Sequence, residues 1–137
     1  VDKTRLALRS GPLSRRCEIV GGSFFDFVPD GADCYLMLRV INEWEGSRVR
    51  MILRTVIDAM TPNARVLVVE HVLPDKPRSD LTIVSDLLKL ALLGRERTAS
   101  EYQLLFESVG LNIDRKILLS TGATVFQLSE TTSPTYG

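Results

Sequence analysis

Apolar residues recur along the chain with two different periods, and the switches between them lay out the elements. Val49, Ile52, Leu53, Val56, Ile57 and Met60 fall at helical spacing, with Arg48, Arg50, Arg54 and Asp58 opposite, which predicts an amphipathic helix. Before it, Cys34 to Ile41 is a nearly unbroken apolar run. After the Thr61-Pro62-Asn63 stop, Arg65 to His71 is another. Both have the character of strands covered on both faces. Strand, helix, strand implies a right-handed crossover and parallel neighbours, because only that hand packs the helix back onto the twisted strands. Upstream, Thr4 to Ser10 reads as a short helix ended by Gly11-Pro12. Cys17-Glu18-Ile19-Val20 reads as a short strand stopped by Gly21-Gly22, and Pro29-Asp30-Gly31 as a turn. Downstream, Leu81 to Leu93 reads as a helix. Thr98-Ala99-Ser100-Glu101 is a capping box ahead of Tyr102, Leu105, Phe106 and Val109, with Gly110 as the stop. Ile113 to Leu119 and Thr124 to Ser129, joined by Ser120-Thr121-Gly122-Ala123, form a final antiparallel hairpin. The expected fold class is α/β.

Composition narrows the partners. The 137 residues are 45% hydrophobic and 25% charged, which suits one globular domain over residues 1–130 with a flexible tail at 131–137. Seventeen basic residues balance seventeen acidic ones, so no net field favours nucleic acid or an anionic membrane. The longest mainly apolar stretch, Leu87 to Leu93, is broken by Lys89 and is far short of the ~20 residues of a bilayer span. Val1 to Arg5 leads into no apolar segment, so a cytoplasmic protein without a signal peptide is expected. Cys17 and Cys34 have no metal-ligand spacing; no metal site is expected, and the cysteines read as small hydrophobes. Met37, Met51 and Met60 read as core packing, and the Arg48, Arg50 and Arg54 stripe as a solvated face.

Fold pattern alone names no function. Local motifs go further. Residues 16–25, Arg-Cys-Glu-Ile-Val-Gly-Gly-Ser-Phe-Phe, are followed by Val28-Pro29, Gly31-Ala32-Asp33, Asn42-Glu43-Trp44, Leu67-Val68-Val69-Glu70-His71-Val72-Leu73-Pro74 and Gly94-Arg95-Glu96-Arg97-Thr98. In that order, over roughly residues 5 to 130, they resemble the S-adenosylmethionine-dependent small-molecule O-methyltransferases, the plant phenolic and bacterial polyketide-tailoring enzymes. The resemblance implies the C-terminal part of a Rossmann-like class I methyltransferase domain, whose sheet is ordered 3-2-1-4-5-7-6. Strands 3 to 7 are expected here and the first two are missing. It also implies S-adenosylmethionine as cofactor and a small aromatic or polyketide-like hydroxyl compound as substrate.

The family's helical dimerisation domain and its glycine-rich cofactor loop have no counterpart in the sequence. Gly21-Gly22 follows the third expected strand and reads as a turn; Asp2 has no strand ahead of it to make it the ribose carboxylate. Weak cofactor binding is therefore expected. Ser23, beside Phe24, stands where the family has an acidic residue at the adenine end, and Leu38 stands where a lysine is common. Asn42-Glu43-Trp44 replaces a His-Asp-Trp triplet whose histidine is the general base. An amide cannot accept a proton at neutral pH, so Asn42 can position an acceptor hydroxyl but not deprotonate it. Some polyketide-acting members also carry asparagine there, and alignment alone supplies much of the acceleration of such a transfer.

Glu70 and Glu96 match the two glutamates that flank and orient the family's histidine. They read either as substrate-positioning acceptors or as a strand-end carboxylate and a solvated loop charge. His71 should face away from the Glu70 side, since side chains alternate along a strand. Phe24, Phe25 and Trp44 line a ligand pocket or simply pack. Three functions stay open: a truncated O-methyltransferase, a degenerate non-catalytic remnant or interaction module, and a related cofactor-using hydroxylase. Without its first two strands the sheet would expose Cys34 to Ile41 as an apolar edge that invites self-association. The Cys17 to Val20 strand would then be detached or paired directly onto it.

Overall fold

The computed structural model describes residues 12, 14–74 and 96–131. The expected helices at Thr4 to Ser10 and Leu81 to Leu93, the Gly94-Arg95 part of the last motif and the tail beyond residue 131 lie outside them. Among the described residues are five strands and two α-helices: β1 (Cys34–Leu38), α1 (Gly46–Ala59), β2 (Arg65–Leu73), β3 (Arg97–Thr98), α2 (Ala99–Glu107), β4 (Leu111–Leu118) and β5 (Ala123–Glu130). A one-turn 3-10 helix, Ile41–Glu43, lies between β1 and α1. The sheet runs β1-β2-β5-β4, with β3 pairing the far end of β2. β1 and β3 are parallel to β2; β5 is antiparallel to both β2 and β4. This order is that of the last four strands of the class I methyltransferase sheet, closed by the expected hairpin.

The helices form as their sequences dictate. Val49, Ile52, Leu53 and Val56 make a buried stripe on α1. Thr98 Oγ1 accepts from Glu101 N at 3.2 Å while the Glu101 carboxylate accepts from Thr98 N at 2.7 Å, the reciprocal bonds of a capping box. Gly110, at φ +85°, ends the segment. One face of β1, β2 and β5 meets both helices. Met37, Val66, Val68, Phe126 and Leu128 pack there against the α1 stripe and against Tyr102 and Phe106. The Tyr102 and Phe106 rings lie 5.1 and 5.5 Å from Phe126, within the range of favourable aromatic pairs.

Several expectations are corrected. Residues 17–20 form no strand and are mostly exposed; β-branched side chains alone do not make a strand without a neighbour to bond it. They are detached from the sheet rather than paired onto β1. The Cys34 to Ile41 strand ends at Leu38, because Arg39 adopts φ +53° and turns the chain toward the 3-10 helix. Nor is β1 covered on both faces. Met37 is buried, but Leu36 and Leu38, on the opposite face, are 63% and 61% exposed. Cys17 and Cys34 are exposed free thiols rather than packed hydrophobes. Met51 faces solvent, one step off the buried stripe of α1.

The Arg stripe is not simply solvated. Arg50 Nε donates to Ser108 Oγ at 3.1 Å, and Arg48 lies 5.2 Å from the centre of the Phe25 ring. Among the described residues no helix is long and apolar enough to cross a membrane.

The two faces of the sheet should respond differently to truncation. Phe126→Ala, at a fully buried position, should lower stability by about 3–5 kcal/mol, whereas Leu36→Ala on the open face should change it by about 0.5 kcal/mol or less. Urea unfolding of the two variants checks this, and equal losses would show the core to be misplaced.

Candidate functional site

Parallel pairing brings the carboxyl ends of β1, β2 and β3 to one side of the sheet, where open α/β folds bind ligands. β2 delivers Glu70 there. Val66, Val68 and Glu70 share the face that carries the core, and Glu70 is only 1% exposed. His71 is half-buried and projects to the other face, as alternation predicts. From β1 the ladder continues one step, Arg39 N donating to Val69 O at 3.0 Å, before the chain turns over the end of β2. That turn is the Ile41–Glu43 helix, which places Asn42, 5% exposed, directly above Glu70.

Glu70 Oε1 accepts from the backbone N–H of Ile41 at 3.1 Å and of Asn42 at 3.3 Å. Arg97, on β3 and 9% exposed, reaches the same turn from its other end. Its Nη1 donates to Ile41 O at 3.0 Å and its Nη2 to Trp44 O at 2.6 Å. The Arg97 guanidinium also lies 6.0 Å from the centre of the Tyr102 ring. Glu96, one residue ahead of β3, is half-buried, and its charge bears on Tyr102. Asn42 and Glu70 are thus brought together, with Glu96 beside the same cluster.

The electrostatics follow from burial. Loss of solvent lifts the Glu70 carboxyl above the ordinary carboxylate range. The backbone bonds from Asn42 and Ile41 and the charges of Arg39 and Arg97 pull the other way without cancelling it. Burial, then the neighbouring Glu70 charge, pushes the Tyr102 hydroxyl upward as well. Asn42 Oδ1, Glu70 Oε2 and Trp44 Nε1 are buried and have no hydrogen-bond partner among the described residues. Buried polar atoms of this kind are rare, and their bonds are left for a ligand, a water or a residue outside those described.

The expected cofactor-side residues sit in a separate loop. Ser23 Oγ accepts from Phe25 N at 3.3 Å, and Ser23 O accepts from Asp26 N and Phe27 N, so its polar atoms hold the turn. A Cβ at Gly22 would fall 2.6 Å from the tip of the half-exposed Phe27 ring. Phe24 is 38% exposed, and its ring lies 6.2 Å from Trp44, which in turn lies 4.9 Å from Phe25. This aromatic trio ties the loop to the head of α1. A groove of about 700 Å³ runs along the loop between Val20, Phe27, Pro29 and Asp58, but neither Asn42 nor Glu70 lines it. Leu38 offers an exposed isobutyl group, not a cation, at the end of β1. The loop thus presents one aromatic face, and the groove beside it is also lined by Glu18, Asp26, Asp30 and Thr55. Among the described residues no cluster of three or more His, Cys, Asp or Glu could hold a metal ion.

Arg97, Arg39 and Tyr102 drew no attention as site residues in the sequence. Arg97 sits in an Arg-Glu-Arg triplet that reads as surface charge, and no periodicity announces a buried guanidinium.

Comparison with known proteins adds a family to this geometry. A family profile described as an O-methyltransferase domain matches residues 1–112. The mitomycin biosynthesis 6-O-methyltransferase of Streptomyces lavendulae is 38% identical over 122 residues, 88% of this chain and 35% of that protein. A solved mitomycin 7-O-methyltransferase superposes with a TM-score of 0.82 at 36% identity, over 94% of this chain and 38% of that one. A third structure is an O-methyltransferase from neocarzinostatin biosynthesis in complex with S-adenosylmethionine and 2-hydroxy-5-methyl naphthoic acid. It superposes at 0.75 and 28% identity, over 93% of this chain and 37% of that one. The chain spans about a third of the length of the relatives it matches, as the 35% coverage of the mitomycin enzyme shows.

The elevated Glu70 carboxyl fixes the sign of a pH effect. A folded-state pKa above the unfolded value of ~4.3 means the folded chain binds that proton more tightly. The resulting stability is fully present below the unfolded value and is lost as pH rises through the folded one. Glu70→Gln removes the titration, so its stability relative to the unsubstituted chain should climb over the range in which pH rises above ~4.3. Urea midpoints across that range measure it; a flat or falling difference would show the carboxylate to be held ionised.

Proposed function

The chain belongs to the O-methyltransferase family, and from that membership we propose that it carries the acceptor side of a cytosolic enzyme that methylates a hydroxyl of a small aromatic or polyketide-like molecule. We take its residues to be the carboxyl-terminal part of that catalytic domain. S-adenosylmethionine, which would supply a methyl group bound to a sulfonium, is the cofactor in this reading. The observation that carries the proposal is Asn42, whose buried Oδ1, at the carboxyl ends of parallel β1 and β2, has no hydrogen-bond partner among the described residues.

In this reading Asn42 Oδ1 accepts the hydrogen bond of the acceptor hydroxyl and aims its oxygen; it does not take the proton. Trp44, whose buried Nε1–H has no partner among the described residues, walls the site and offers a donor. Glu96 belongs to the edge of the same cluster. Acceleration comes from alignment rather than from a base. Balanced charge supports a small diffusible substrate over a nucleic acid.

The test transplants the segment. Residues 12–131 should replace their counterpart in the Streptomyces lavendulae mitomycin 6-O-methyltransferase with methyl transfer from labelled S-adenosylmethionine retained. Asn42→Ala should then cost less than the ~10²–10⁴ typical of losing a general base, and Asn42→His should add a pH dependence near ~6.5. A chimera that folds and binds cofactor yet transfers nothing, even with Asn42→His, would sink the proposal.

The 137-residue chain by itself should bind S-adenosylmethionine more weakly than ~10 μM, since Ser23 is committed to its turn and Phe24 alone offers a surface. We also propose that it self-associates through β1, where Leu36 and Leu38 are exposed and no described strand pairs the free side. Isothermal titration calorimetry and light scattering read the two on one sample. Tight binding, or a monomer unaffected by Leu36→Lys, would overturn the respective claim.

A further inference from the structure

We propose that Glu70 and Arg97 are positioning residues that clamp the Ile41–Glu43 turn from opposite ends and so fix where Asn42 presents its carboxamide. The purpose of the clamp rests on the acceptor-site reading; its geometry does not. The turn is poorly held by its own bonds. Glu43 N to Val40 O and Trp44 N to Ile41 O are both 3.4 Å, at the long limit of a hydrogen bond. The bonds from outside are shorter at every point, from 2.6 to 3.3 Å, and each has a charged partner. Charge-assisted bonds are roughly twice as strong as neutral ones, so the external set decides the conformation.

The arrangement also matches the turn's polarity. A carboxylate receives the free N–H groups at its start, and a guanidinium bonds the carbonyl of Ile41, its first residue, and that of Trp44, just past its end. The Ile41 peptide is bound on both sides, its N–H by Glu70 and its C=O by Arg97, while its side chain is fully buried in the core. Asn42 is the next residue along, so a shift of either clamp moves its side chain. The two clamp residues come from strands that are themselves paired, Val72 with Arg97, which keeps their separation constant.

The groups facing Glu70 are Arg39 after β1, Arg97 on β3 and Tyr102 on α2. Amide proton NMR of the full chain tests the clamp. Ile41 and Asn42 amide shifts should titrate together with a midpoint above ~4.3, and the titration should vanish in Glu70→Gln. Arg97→Met should raise exchange at Trp44 and collapse the Asn42 side-chain amide shifts, with an exchange change of about tenfold, while Leu53 and Val56 in α1 stay protected. Arg97→Lys, which can serve one carbonyl but not both, should fall between. Amides that do not titrate, or Arg97→Met and Arg97→Lys chains with unchanged Asn42 side-chain signals, would overturn the clamp. Should Arg97→Met unfold the chain, Arg97→Lys and Glu70→Gln decide. Absence of methyl transfer in the chimera would count against the acceptor reading and leave these signals to judge the clamp.

Discussion

A carboxylate buried at the end of a central strand sets the terms for the rest of this fold. Removing an ionised group from water costs several kcal/mol unless partners replace the lost hydration. Glu70 is 1% exposed on β2, the strand flanked by β1 on one side and β5 on the other. Its partners must therefore come from whatever crosses the strand end. The turn after β1 supplies two N–H groups, and Arg39 and Arg97 supply positive charge. Packing, the chain reversal at Arg39 and the short β3 pairing all serve the same end, which is to bring those groups over one carboxyl.

That dependence explains what the sequence shows and what it hides. α1 and the capping box of α2 are legible because each is specified locally, by a stripe of apolar residues or by four consecutive residues that bond one another. β1 is only half legible. An apolar run such as Cys-Tyr-Leu-Met-Leu reports what a strand is suited to touch, not what lies against it, and here only the Met37 face meets the helices. Residues 17–20 fail for the same reason, since a strand is a property of a pair. β3, at two residues, is too short to show a period, and with it Arg97 goes unseen. Asn42 and Glu70 are singled out together in the sequence only through the family resemblance, Asn42 at a helix head and Glu70 at a strand end; that one holds the other's backbone is not legible, because a backbone bond leaves no trace in residue type.

The two borders of the sheet differ in a way that bears on function. β4 carries Asp114, Arg115 and Lys116, and its register breaks between Ile113 and Arg115, a charged and bulged edge of the kind that resists further pairing. Asp114 is further engaged by Ser129 Oγ at 2.7 Å. β1 has no charge from Cys34 to Leu38 and no bulge against β2. One border is charged and bulged and the other is apolar and regular, and the candidate site lies on the second side, at the end of β1.

The clamp gives a physical reason why asparagine can stand where the resembling enzymes carry a histidine. Glu70 and Arg97 bond to the N–H groups of Ile41 and Asn42 and to the carbonyls of Ile41 and Trp44, never to the side chain of residue 42. The turn's geometry is thereby independent of what that residue is. A change from imidazole to carboxamide alters the chemistry offered to a hydroxyl, from proton acceptance to orientation, and leaves the position from which it is offered unchanged. On the proposed acceptor-site reading, alignment alone can supply several kcal/mol of a transfer barrier, so a carboxamide held in that position would still orient a hydroxyl.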